Sequence, residues 1–404
     1  YPRLNGKSGW QGCNLTEING GLCYNEDNFF KACRAAAILG TLQAGYTDFK
    51  FIDNVSKKIF DREALLGVSI TGWMNNPKIL FDEKILEKGA EIVKAVNKEV
   101  ANILNINPAA RTTCVKPSGN ASVLLQTASG IHAEHGNMYI RNVQMNKESE
   151  ITQAITKQNP YMVEDSVWSS GGTDVVVSFP ILPKSGSIYK DNLLGVKHLE
   201  LVKKAQQHWV NAGTNEDLCA DKGIRHNVSN TIIVDDWDEV EKYVFENRHS
   251  FAGISFLAMT GDKDFNQAPN TAVITAKEMV RKYETAAIFA SGMVVDALKA
   301  FDNLWIACST AQGMGEDINL DISENVLKKD WVRRFKSFAE NYTDDDIKKA
   351  EYCLKDAYLL HKWNKIQKNF ETINWDEDIT EKKYTDIDTI ASAACVGGAC
   401  EIDF

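Results

Sequence analysis

Near the end of the chain, in "SAACVGGACEIDF", Cys395 and Cys400 flank two glycines. A dithiol at this spacing closes a small disulfide loop without strain, and on a flexible tether it can exchange with more than one partner. Zinc would need two further ligands at matching spacing, and the tail has none. The sharper reading is a redox shuttle; the plainer one is a pair of thiols without a role. A shuttle needs a second dithiol inside a site as its destination, and Cys13, Cys23, Cys33 and Cys114 are the candidates. A second place for chemistry is "VKPSGNASVLL", where Pro117 ends a β-branched segment and Gly119 permits a tight turn. Ser118, Asn120 and Ser122 put side-chain hydrogen bonds beside the free N–H groups of a helix start, a nest that suits a phosphate. The same residues also make an ordinary turn and N-cap, and the local pattern leaves both readings open. His132 and His135 have no Cys or carboxylate cluster to complete a metal set, so a structural or substrate-facing role is expected and no metal site is assigned.

These residues need elements to hold them. "EDNFFKACRAAAILGTLQAGY" (26–46) and "DEKILEKGAEIVKAVNKEVANILNI" (82–106) repeat apolar residues at three-to-four spacing and predict amphipathic helices. Short β-branched runs predict strands at 110–117, 173–181, 229–236 and 252–259, with a helix at 193–213 between two of them. Such alternation favours an α/β architecture with partly parallel strands, for which a barrel is one closure. The character changes near 328, which divides the chain into a mixed part (1–327), a helical part (328–385) and a flexible dithiol tail (386–404). No run approaches the roughly 18 apolar residues of a membrane span. The net charge of −10 argues against direct nucleic-acid binding while leaving room for a local phosphate pocket. Nine cysteines, an odd number at irregular spacing, do not form a disulfide scaffold. The N-terminal "YPRLNGKSGW" lacks a secretory pattern, so a cytoplasmic address is expected; it also lacks an initiator Met, so the chain is expected to be a fragment or a processed product.

Several stretches taken in order resemble one family: "GCNLTEING" (12–20), "REALLGVSITGWMN" (62–75), "NPAARTTCVKPSGNASVLLQTASGIHAEH" (107–135), "RHNVSNTIIVDDWDEVEKYVFEN" (225–247), "GISFLAM" with "FNQAPN" (253–270), and "ACVGGACEI" (394–402). The chain is similar to the catalytic subunit of ribonucleotide reductase, above all to the adenosylcobalamin-dependent class II type of bacteria and phages. The resemblance implies a ten-stranded α/β barrel built from two five-stranded halves. It implies that Cys13 is one of two barrel thiols that reduce the ribose, its partner lying on an earlier strand. It also implies that Ser118, Gly119, Asn120, Ala121 and Ser122 hold the substrate phosphates, although the family more often has a hydroxyl residue where Asn120 and Ala121 stand. Cys395 and Cys400 match the shuttle that re-reduces the barrel disulfide and is recharged by a thioredoxin- or glutaredoxin-like protein.

The family's radical-bearing cysteine belongs to a finger-loop segment like Asn-Pro-Cys-x-Glu ahead of the "CNL" stretch, with the Glu as general base. No cysteine of this chain has a glutamate two residues on. The resemblance therefore implies a C-terminal part of a reductase that needs an N-terminal chain carrying the finger-loop Cys and Glu, with a ribonucleotide as substrate. Class I subunits carry two adjacent tyrosines near the C-terminus, whereas Tyr352 and Tyr358 stand apart here, which favours class II and adenosylcobalamin. A class I α fragment working with a radical subunit, and a non-catalytic nucleotide-binding remnant, are the competing expectations.

Overall fold

The computed structural model describes residues 3–259, 265, 267–284, 287 and 343–375. They fall into two compact units, one of residues 3–134 and 183–259, the other of residues 135–182 with the described residues beyond 260. The predicted boundary near 328, the tail pair Cys395 and Cys400, and Cys308 all lie outside the described residues.

The first unit is built on parallel strands. The Asn14–Asn19 strand pairs in parallel with Leu66–Thr71, and Leu66–Thr71 in turn meets the 111–115 segment through a parallel bridge between Val68 and Thr113. Backbone bonds from Leu66 N to Arg111 O (3.1 Å), Val68 N to Thr112 O (2.9 Å) and Cys114 N to Val68 O (3.0 Å) hold that junction. A further parallel bridge joins Val115 to Val228, and the Thr231–Val234 strand beyond it pairs in parallel with Ser255–Ala258. Five parallel segments thus stand in one row, and among the described residues no closed ten-stranded barrel is formed.

Parallel strands need long crossovers, and helices supply them. Glu26–Ala44 is capped by Asn25, whose side chain accepts from Asn28 N, and Glu83–Leu104 is capped by Asp82, which accepts from Ile85 N. Glu83–Leu104 ends where Asn105 turns left-handed at φ 55°. These helices bury Phe29, Cys33, Ala37, Leu86, Ala90 and Val93 against Ile18, Leu66, Val68 and Ile70 of the strands. The predicted 193–213 helix forms as Gly195–Ala205 and then widens into a π-helix at Gln206–Asn211. There Trp209 is fully buried and donates its indole N–H to Cys114 O at 3.0 Å.

In the second unit an antiparallel sheet runs in the order Asn270–Ala272, Tyr139–Asn146, Asp174–Ile181, Val163–Asp165. The Asp344–Asn369 helix, expected from the sequence, packs Cys353, Leu354, Ala357 and Leu360 with Val273, Met279 and Tyr283. The Tyr283 hydroxyl donates to Asp356 Oδ2 at 2.5 Å inside that core.

Candidate active site

Side chains alternate across a strand, so the row of parallel strands has two unlike faces. One face, with Ile18, Leu66, Val68, Ile70, Val115 and Val228, is sealed under the helices. The other presents Cys13, Leu15 and Glu17 beside Gly67 and Ser69, then Cys114 and Lys116. Leu15 is 43% exposed, an apolar side chain left open where a core would have covered it. This is the face on which the unit can meet a ligand.

Gly67 sets its geometry. A Cβ on Gly67 would lie 2.8 Å from Cys13 Sγ, 3.0 Å from Cys114 Sγ and 2.7 Å from Leu15 Cδ2. The missing side chain is therefore what lets two thiols from strands on either side lean toward one point. Cys13 is open to solvent at its edge, yet burial by the surrounding protein pushes its thiol up to about 11 against the pull of Lys116 and Arg111. Cys114 is buried, and burial, followed by the neighbouring Cys13 and by Glu17, drives its thiol far higher still.

His226 approaches Cys13 from the segment ahead of Thr231–Val234. Its Nδ1 lies 3.1 Å from Thr113 O, and a carbonyl can only accept, so the proton sits on Nδ1. Nε2 is left with its lone pair toward Cys13 Sγ at 3.9 Å. Burial first, then Arg111, lowers this imidazole to about 4. At neutral pH a neutral thiol therefore faces a neutral ring.

Along the same face the Ser118 hydroxyl donates to Glu17 Oε2 at 2.5 Å, Ser69 reaches Glu17 Oε1 at 3.4 Å, and Lys116 N donates to Ser69 Oγ at 3.0 Å. Burial raises the Glu17 carboxyl, against the hydrogen bonds from Ser118 and Ser69. Ser118 stands at φ 61°, a left-handed turn that opens the short Gly119–Leu124 helix. Gly119, Asn120 and Ala121 are exposed, and a Cβ on Gly119 would meet nothing within 4 Å. First-turn N–H groups have no intrahelical carbonyl, so this loop offers three donors to solvent. Ser122 is buried and turns its hydroxyl back to Gly119 O at 2.8 Å. Of the expected phosphate residues, then, Gly119, Asn120 and Ala121 offer backbone, while the hydroxyls of Ser118 and Ser122 already have protein partners.

The structure brings Cys13 and the 118–122 loop onto one face. His132 is structural: Nδ1 lies 3.0 Å from Ser129 O, and Nε2 accepts from Thr231 N at 3.0 Å. Cys33 and Cys23, two of the four candidate destinations for the shuttle, are buried in the core under the opposite face. Sequence reasoning missed Glu17, Gly67, Ser69 and His226. Reading "CNLTEI" as a strand would have found Glu17, since residues 13, 15 and 17 share a face at period two. A cavity of about 320 Å³ lined by Gly12, Asn14, Phe49, Phe60 and Asn107 lies at the N-terminal ends of the strands, and although Gly12 and Asn14 flank Cys13, no thiol is among its lining residues.

No family model matches the chain. It is 22% identical over 286 residues to an adenosylcobalamin-dependent ribonucleoside-triphosphate reductase of Lactobacillus acidophilus, and 24% identical over 235 residues to one of Euglena gracilis. The chain is similar to class II ribonucleotide reductases. A probable enzyme of the same name from Dictyostelium discoideum is 27% identical over 121 residues. A crystal structure of a B12-dependent (class II) ribonucleotide reductase superposes with a TM-score of 0.54 at 17% identity, covering 76% of this chain and 43% of that one. The resemblance read from the motifs thus has a counterpart in both sequence and fold. The alignments take in 64% and 56% of this chain but only 36% of the Lactobacillus protein and 30% of the Euglena one, so the chain spans about a third of the length of these relatives.

Proposed function

We propose that this chain is the C-terminal part of an adenosylcobalamin-dependent ribonucleotide reductase, and that its open polar face reduces the ribose of a bound ribonucleotide. The observation that carries the reading is the placement of Cys13 on the same face as the 118–122 loop, in a fold similar to a class II enzyme. In this reading the N–H groups of Gly119, Asn120 and Ala121 hold substrate phosphate. Cys13 supplies one of the two thiols whose oxidation to a disulfide removes the 2′-hydroxyl as water, and the two electrons pass from sulfur to the sugar. A neutral thiol suits that role, since it must deliver hydrogen as well as electrons. Glu17 stands where its negative charge would oppose a phosphate, and its raised carboxyl together with Lys116 lessens the conflict.

The finger-loop cysteine and glutamate that start thiyl-radical chemistry belong, on this reading, to an N-terminal chain. Cys395 and Cys400 act as the shuttle, recharged by a thioredoxin- or glutaredoxin-like protein in the cytoplasm. The five parallel segments would be one half of a ten-stranded barrel, followed by the helical region from 328 and the tail from 386. The imidazoles nearest the face give cobalt no ligand: His132 uses both ring nitrogens, and His226 turns Nε2 to Cys13.

The test is reconstitution with an N-terminal chain bearing Asn-Pro-Cys-x-Glu, assaying CDP and CTP reduction with and without adenosylcobalamin. Cobalamin-dependent deoxynucleotide supports the reading. Activity that needs a metal-bearing radical subunit would mean class I, and nucleotide binding without any product would mean a remnant.

A further inference from the structure

We propose that Cys13 and Cys114 are a redox couple within this one chain, able to close to a disulfide when a two-electron oxidant reaches the polar face. Three observations carry this. Both sulfurs lie within 3.0 Å of the point that a Gly67 Cβ would occupy, so they are separated by less than about 6 Å across a glycine, with the end of the half-open Leu15 side chain as the neighbour they share. Cys13 precedes the Asn14–Asn19 strand and lies outside its ladder, so it can shift to close the remaining gap while Cys114 stays fixed by its bond to Val68 O. The Nε2 lone pair of His226 faces Cys13 Sγ and accepts its proton as the sulfur reacts. The remaining described thiols of this unit are placed elsewhere. Cys23 and Cys33 belong to the core under the helices, and Cys219 turns its sulfur to Ala110 O.

With a diazene dicarboxamide as oxidant the step balances. Cys13 adds through sulfur to one nitrogen of the N=N bond, its proton passing by way of His226 to the other. Cys114, losing its own proton, then attacks Cys13 sulfur. The S–S bond forms, the S–N bond breaks, and the hydrazine leaves with both protons and both electrons. In the reductase reading, on which only the biological oxidant rests, the ribonucleotide takes those electrons. Cys114 would then give Cys13 a partner that does not depend on another chain.

The experiment uses the full chain, reduced and then treated with the diazene in the absence of nucleotide and cobalamin. Free thiols are blocked and disulfides assigned by tandem mass spectrometry. Cys13–Cys114 is expected as the main linkage of Cys13, in the parent and equally in a chain carrying Cys395→Ser and Cys400→Ser. It should form faster as pH rises from 7 to 9. His226→Gln should slow it at pH 7 and converge with the parent at high pH, where the thiol ionises without help. Cys13 linked chiefly to Cys23, Cys219 or a tail thiol, or left as an adduct beside a free, alkylated Cys114, would overturn the proposal. Because the parent chain is read directly, a poorly folded variant cannot decide the result. Deoxynucleotide synthesis is not measured, so failure here and failure of the reductase reading are distinct outcomes.

Discussion

At the scale of single residues, the behaviour of Cys13 follows from the protein packed around it. Alkylation needs the thiolate, and burial holds this thiol up to about 11. Labelling of Cys13 by iodoacetamide should therefore keep rising beyond about pH 10, where an ordinary cysteine has levelled off. A plateau near pH 8.5 would contradict the placement. Gly67→Ala puts a methyl group onto Cys13, Cys114 and Leu15 at once. It should cost about 1–3 kcal/mol in a urea titration by overpacking, and it should also suppress the Cys13–Cys114 linkage. Cys13 and the 118–122 loop could be identified from the sequence because they sit in ordered motifs. Gly67, Ser69 and His226 could not, since a small residue in a strand and a histidine ahead of one acquire meaning only from what neighbouring strands bring beside them.

At the scale of elements, the row of strands is clamped where the 111–115 segment begins. Arg111 Nη2 meets Glu63 Oε2 at 2.9 Å with both side chains about 95% buried, and Glu63 also receives Arg62 and Gln11. Removing one partner of such a pair leaves the other charge without water, so Arg111→Leu should destabilise the chain by about 3–5 kcal/mol in urea unfolding. A loss below 1 kcal/mol would show that solvent reaches the pair. The helices at 26–46 and 82–106 were plain in the sequence because each has one apolar stripe to read. The Asn14–Asn19, Leu66–Thr71 and Tyr139–Asn146 strands were not predicted. In "LGVSIT" the small polar side of the alternation is the chemical face itself, so the segment lacks the unbroken β-branched run that marks a buried strand. The 111–115 segment was predicted, although it is joined to its neighbours by single bridges and not by a long ladder.

At the scale of the whole molecule, acidification should loosen the first unit. Burial lowers His198 and His226 to about 4 and lowers His132 as well. The unfolded chain therefore takes up protons first as pH falls below about 6.5. The stability these neutral rings contribute is present above that pH and is lost as pH falls toward 4. The urea midpoint should drop between pH 7 and pH 5, and an unchanged midpoint would mean the rings are hydrated. In the proposed reductase the chain alone should yield no deoxynucleotide with nucleotide, adenosylcobalamin and dithiol present. After reconstitution, Cys395→Ser with Cys400→Ser should abolish turnover on thioredoxin yet spare turnover on a small dithiol, whereas Cys13→Ser should fail on both. Multiple turnover by the chain alone would overturn the need for a second chain.

All six residues of the Leu66–Thr71 strand are buried, and it is flanked on both sides by parallel neighbours. Amide protons there can trade with deuterium only after the row of strands has opened, whereas those of Asn14–Asn19, paired on one side among the described residues, need a smaller fluctuation. The deuterium clock should accordingly run slowest at Leu66 and Val68. The strand carrying Gly67 would then be the last part of the unit to let go, keeping the gap between the two thiols in shape while the segments around it breathe.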